Sequence, residues 1–148
     1  MLSKSTYLFF MLLFFSVTAC FDKNTDEKII NVEVSAESIK EKWGVDEFSV
    51  HETSAGYMLD IRYRVTDTTK AKPLFERKLR PFVVEEDSGI RYGVPASPKV
   101  GYLRQTSSNL KKNKIYFLMI ANPGKRIKKG NKITLIIGDF KIEHLIVE

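Results

Sequence analysis

The chain has 148 residues, 24 basic against 18 acidic side chains, a net charge of +6 and one cysteine. That length suits one domain behind a leader. A lone cysteine forbids an internal disulfide, so the fold must rest on its own apolar core. The charge excess is modest and spread out, which favours weak attraction to anionic surfaces.

Lys4 precedes an unbroken apolar run from Tyr7 to Phe15, and Ser16-Val17-Thr18-Ala19 brings small residues up to Cys20. Charged start, apolar segment and small residues before a processing point form the layout of a signal peptide. Val17-Thr18-Ala19-Cys20 resembles the lipobox of bacterial lipoproteins. The resemblance implies cleavage between Ala19 and Cys20, lipidation of the Cys20 thiol and attachment to a membrane through that lipid, with the domain in the periplasm or at the cell surface. A cleaved but unlipidated leader and an uncleaved anchor are the alternatives, although Tyr7 to Phe21 is shorter than the roughly 20 apolar residues that span a bilayer. The expected division is a signal peptide over 1–19, a lipidated cysteine and tether over 20–31, and a globular domain over 32–148. Residues 21–28 form a polar, aperiodic stretch, as a tether would. Export speaks against nucleic acid as a partner.

Ser35 to Gly44 carries the helix signals: Ser35 to cap, Glu37 in the first turn, Ile39 and Trp43 on one face, and Gly44 to stop. Trp43 is read as docking on the domain in preference to stacking on a ligand. From Phe48 the period changes to two. Ser54-Ala55-Gly56 supplies turn chemistry, and then Tyr57, Leu59, Ile61, Tyr63 and Val65 alternate with Met58, Asp60, Arg62 and Arg64, predicting a strand with one face on a core and one in water. Residues 67–76 break the pattern, with a turn of helix near Leu74 and Phe75. Phe82 to Glu85 is a strand, Glu86 to Gly89 a solvated hairpin loop, and Ile90, Tyr92 and Val94 return on one face. Pro95 to Pro98 predicts a rigid connection, followed by a short edge strand through Val100, Tyr102 and Leu103, and residues 107–113 are loop. Ile115 to Ala121 is apolar on both faces and so predicts a central strand. Asn122-Pro123-Gly124 turns the chain into a basic loop. Ile133 to Ile137 comes back, Gly138-Asp139 bends, and Phe140 to Val147 closes the chain. Many short strands with few helices predict a mainly β fold, an antiparallel two-sheet sandwich of immunoglobulin-like type with one short N-terminal helix. A small closed barrel is the alternative.

No catalytic or cofactor motif is legible, and no cofactor is expected. His51 and His144 are the only histidines, and neither has metal-ligand spacing to other donors. His144 is expected to be solvated or hydrogen-bonded. No Gly-x-Ser-x-Gly elbow occurs, which leaves an envelope hydrolase only through a site assembled in space. Two surfaces are candidates for binding. One is the outward row Asp60, Arg62 and Arg64, whose guanidinium forks could hold an anionic partner or pair with acidic neighbours across the sheet. The other is the basic loop Lys125, Arg126, Lys128, Lys129 and Lys132, dense enough to touch anionic lipid or cell-wall polymer. A further cluster, Lys111, Lys112 and Lys114, falls at the other end of the predicted strand 115–121.

Gly56 to Val65, Gly93-Val94-Pro95 through Gly101, Asn122-Pro123-Gly124 and Gly138-Asp139-Phe140 are similar to a group of small exported proteins of Gram-negative bacteria. The similarity implies export and a compact β domain, and it transfers no active site. The resulting expectation is a tethered, non-catalytic binding or accessory module whose partner is an envelope protein or an anionic envelope polymer.

Overall fold

A computed structural model describes residues 36–99 and 101–148. The signal peptide over 1–19, the cleavage point Ala19-Cys20, the lipidation site Cys20 and the tether over 20–31 lie outside the described residues. Val32–Glu148 forms one compact unit. Among the described residues, no helix is long and apolar enough to cross a membrane.

Residues 36–43 are helical (α1). Ile39 is buried, and the Trp43 ring meets Phe140 edge-on at 5.6 Å, which is the docking the sequence predicts. Gly44 ends the helix with φ +61°, the left-handed conformation that glycine adopts without penalty. Its N–H donates to Lys40 O, and its own carbonyl accepts from Thr66 N and Asp67 N, locking α1 to the end of a strand. A Cβ at this position would stand 2.6 Å from Asp67 O. Gly44→Ala should therefore cost about 2 kcal/mol, from left-handed strain with the clash added. A urea titration with unchanged slope would read this as a lower midpoint.

Seven strands build two antiparallel sheets. The first contains β1 (Val45–Thr53), β2 (Met58–Val65) and β7 (Lys114–Ala121), in the order β1-β2-β7. The second contains β3 (Phe82–Glu85), β4 (Arg91–Gly93), β8 (Lys132–Ile137) and β9 (Phe140–Ile146), in the order β4-β3-β8-β9. The chain changes sheet between β2 and β3, between β4 and β7, and between β7 and β8. This is the Greek-key order of an immunoglobulin-like sandwich, with the fourth strand on the second sheet, and among the described residues no barrel closes. The crossover after β2 carries a four-residue helix, α2 (Thr68–Ala71), then a 3-10 turn over Lys72–Phe75. Asp67 caps α2 by accepting from Thr69 N and Lys70 N. Arg104, partly buried, donates to Leu74 O and Leu79 O, clamping this crossover to the sandwich.

The core lies between the sheets. Leu59, Ile61, Tyr63 and Val65 of β2 face Val83, Ile133, Leu135, Ile137 and Phe140, so the period of two was legible. Phe48 and Tyr63 stack at 5.8 Å, and Phe48 and Phe140 at 5.9 Å. Burial pushes the Tyr63 hydroxyl well above its usual range.

Four expectations need correction. Strand β7 lies at the margin of its sheet, and β2 is the central strand. The free side of β7 is partly covered by loop backbone, with Met119 N donating to Leu103 O and Gln105 N to Phe117 O. Its inward residues Tyr116, Leu118 and Ile120 are buried, whereas Ile115 is 48% and Phe117 38% exposed; the apolar run does not reflect burial on two faces. Tyr57, predicted to face the core, precedes β2 and is 56% exposed. The stretch from Pro95 to Pro98 is no mere connection, because β5 (Ala96–Ser97) pairs there with β6 (Gly101–Tyr102). The acidic hairpin is not simply solvated. Glu85 is buried and accepts from Ser88 N and the Ser88 hydroxyl, and Glu86 is engaged as described below.

Candidate functional site

Asp60, Arg62 and Arg64 project from the outer face of the first sheet, opposite Met119, Phe117 and Ile115 of β7. Both arginines are already engaged. The Arg62 Nη2 lies 2.8 Å from Asp60 Oδ2, with Nε at 2.9 Å from the same oxygen. Arg64 donates through Nε and Nη2 to Glu47 Oε2, and through Nη1 to Asn113 O. Glu47 reaches this point because β1 bulges between Asp46 and Ser49, with Glu47 at φ +50°, and bulges re-aim side chains. The Arg64 bond holds the Glu47 carboxyl below its usual range. Cross-strand pairing has thus absorbed the forks, and what remains open on this face is the apolar pair Ile115 and Phe117. The sequence hides that pair, because apolarity on both faces of a strand predicts burial on both.

The basic loop is built differently. It joins β7 to β8 at the pole where β1 ends and β2 begins. Asn122 is fully buried and every bond it makes is to backbone. Its side-chain amide donates to Gly56 O at 2.9 Å and Ile127 O at 2.7 Å, and its oxygen accepts from Ile127 N at 3.1 Å. Its own N–H donates to Tyr57 O. Ile127, also fully buried, is anchored in the core. Lys128 N donates to Asn131 Oδ1, and Lys129 N to Glu52 Oε1. The backbone is therefore pinned on both sides, while Lys125, Arg126, Lys128 and Lys129 point outward, exposed, with Lys132 half-buried at the start of β8. None of these five forms a salt bridge among the described residues. Lys125 Nζ lies 4.5 Å from the centre of the Tyr57 ring, a cation–π contact. Lys114 begins β7 at the opposite pole, as the sequence predicts for the other lysine cluster.

The histidines lie apart from each other in their bonding. His51 Nδ1 is 3.6 Å from Glu148 Oε2. His144 sits in a bulge of β9 at φ +61°, which brings its Nδ1 to 2.8 Å from Glu86 Oε2 and its N–H to Glu86 Oε1. Thr134 Oγ1 donates to the same oxygen. Burial would raise the Glu86 carboxyl, but the His144 and Thr134 bonds outweigh it and hold the group below its usual range. A depressed carboxylate contributes its full stability above the unfolded pKa of about 4.3 and loses it as pH falls through the lower folded value. Between about pH 5 and pH 3, Glu86→Gln should therefore lose stability less steeply than the parent, which urea midpoints across that window would show.

Among the described residues no three His, Cys, Asp or Glu side chains come together as a metal site. A shallow depression of about 260 Å³ lined by Trp43, Pro73, Leu74, Leu79 and Gly138 lies at the α1 pole, below the ~300 Å³ at which ligand pockets begin. Compared with protein-family models, curated proteins and solved structures, the chain matches none. Fold and surface together define an immunoglobulin-like β-sandwich with a pinned cationic loop, free of salt bridges among the described residues, at one pole.

Proposed function

We propose that this chain is an exported, lipid-tethered, non-catalytic binding module of the bacterial cell envelope that contacts an anionic envelope component through Lys125, Arg126, Lys128, Lys129 and Lys132. The observation that carries the reading is the contrast between two sets of cations. Arg62 and Arg64 are neutralised by Asp60 and Glu47, whereas the loop cations have no carboxylate partner among the described residues and stand on a backbone fixed by Asn122. On a pinned backbone, unpaired cations need no ordering of the loop and break no internal pair when they bind an anion. The lipobox resemblance supports the tether.

Cosedimentation with a crude envelope fraction tests the contact. Neutralising Lys125, Arg126, Lys128 and Lys129 to glutamine should release the protein to the supernatant, and retention undiminished by those changes would remove the mechanism. Intact mass of the native protein tests the tether: a diacylglycerol-bearing Cys20 at the N-terminus is expected, and a bare thiol there would overturn it. A second reading, a protein partner docked on the outer sheet face, draws on exposed Ile115 and Phe117 beside arginines, a composition common in interface cores. Crosslinking to one envelope protein that vanishes with Phe117→Ser would favour it over the cationic loop.

A further inference from the structure

Resting on the cationic-loop reading, the partner's chemistry can be narrowed by what stands beside the loop. Tyr57 is 56% exposed, and its backbone is held in place because Tyr57 O accepts from Asn122 N and Tyr57 N donates to Ser54 O. One face of the ring carries Lys125 Nζ at 4.5 Å. Gly56 before it has φ +85°, and a Cβ there would come within 3.1 Å of Glu52 Oε2 and 3.5 Å of Lys125 Cδ. At that positive φ the turn that presents Tyr57 depends on glycine. The result is an exposed aromatic ring on a fixed backbone, with Lys125 over one face.

We propose that the Tyr57–Lys125 pair and the cations Arg126, Lys128 and Lys129 form a subsite for an acidic glycan, a sugar polymer carrying carboxylates on its sugars or on attached peptides, rather than for anionic lipid headgroups. A tyrosine ring offers an apolar face to the C–H face of a sugar and keeps its hydroxyl in water. The flanking cations hold the carboxylates by charge-assisted bonds. Anionic headgroups would draw chiefly on the charge of the loop.

The test uses the compact unit Val32–Glu148, which contains its own core, with purified peptidoglycan sacculi as the glycan probe. Vesicles of phosphatidylglycerol and phosphatidylethanolamine serve as the lipid probe. The unit should pellet with sacculi and stay in solution with vesicles. Tyr57→Leu leaves the charge untouched and should weaken sacculus binding about three- to tenfold. The variant neutralised at Lys125, Arg126, Lys128 and Lys129 should weaken it by about tenfold or more. Unchanged urea midpoints confirm that both variants are folded. Full binding by Tyr57→Leu overturns the aromatic subsite. Binding to vesicles but not to sacculi overturns the glycan assignment while leaving the cationic contact standing. Binding to neither probe overturns the glycan assignment, and retention on crude envelopes then decides separately whether the cationic contact survives.

Discussion

Asn122→Ala is expected to lower the unfolding free energy by about 3–5 kcal/mol, because three buried backbone groups, Gly56 O, Ile127 O and Ile127 N, lose their partner at roughly 1–3 kcal/mol each, partly offset by relaxation. That is a large share of the ~5–15 kcal/mol of an ordinary domain. Asn122→Asp separates bonding from size. It keeps the acceptor for Ile127 N but turns a second oxygen toward two carbonyls, so its loss should be at least as large. Urea midpoints measure both. Amide exchange should also show residues 123–131 opening well below the global free energy in the alanine variant. A loss under about 1 kcal/mol would mean that the loop is held by Ile127 alone.

Phe140→Ala should cost about 3–5 kcal/mol, the usual range for removing a buried phenylalanine. The ring is fully buried and joins two neighbours of different origin, Trp43 from α1 and Phe48 from the bulged part of β1. Its removal should therefore loosen α1 before the sheets separate. Near-UV circular dichroism and Trp43 fluorescence should change at lower urea than the far-UV signal, whereas coincident transitions would show that α1 is not tied through this ring.

Much of the sandwich was legible because burial imposes a period. Leu59, Ile61, Tyr63 and Val65 alternate with polar neighbours, and each is buried; Phe82 to Glu85 and Ile133 to Ile137 lie within strands. Gly44 was legible as a stop since its conformation is one that glycine adopts freely. The edge position of β7 was not. Apolarity on two faces says that a strand is covered or sticky, and Phe117 and Ile115 are exposed. The role of Asn122 was hidden for another reason. Asn-Pro-Gly reads as a surface turn, and only the fold shows three backbone groups converging on one amide. Glu86 and His144 lie far apart in sequence, and a one-residue bulge that no local pattern announces brings them together. Of the two basic candidates, both were legible as charge; which of them is neutralised depends on Glu47 and Asp60, and thus on register.

The bulge at His144 has a consequence beyond Glu86. Strand β9 is the outermost member of its sheet, and a straight, bare margin of that kind invites a neighbouring chain to add on and start a fibril. The kink at φ +61° and the Lys141–Glu143 pair beside it spoil that template and make this edge a poor one for a second copy to extend.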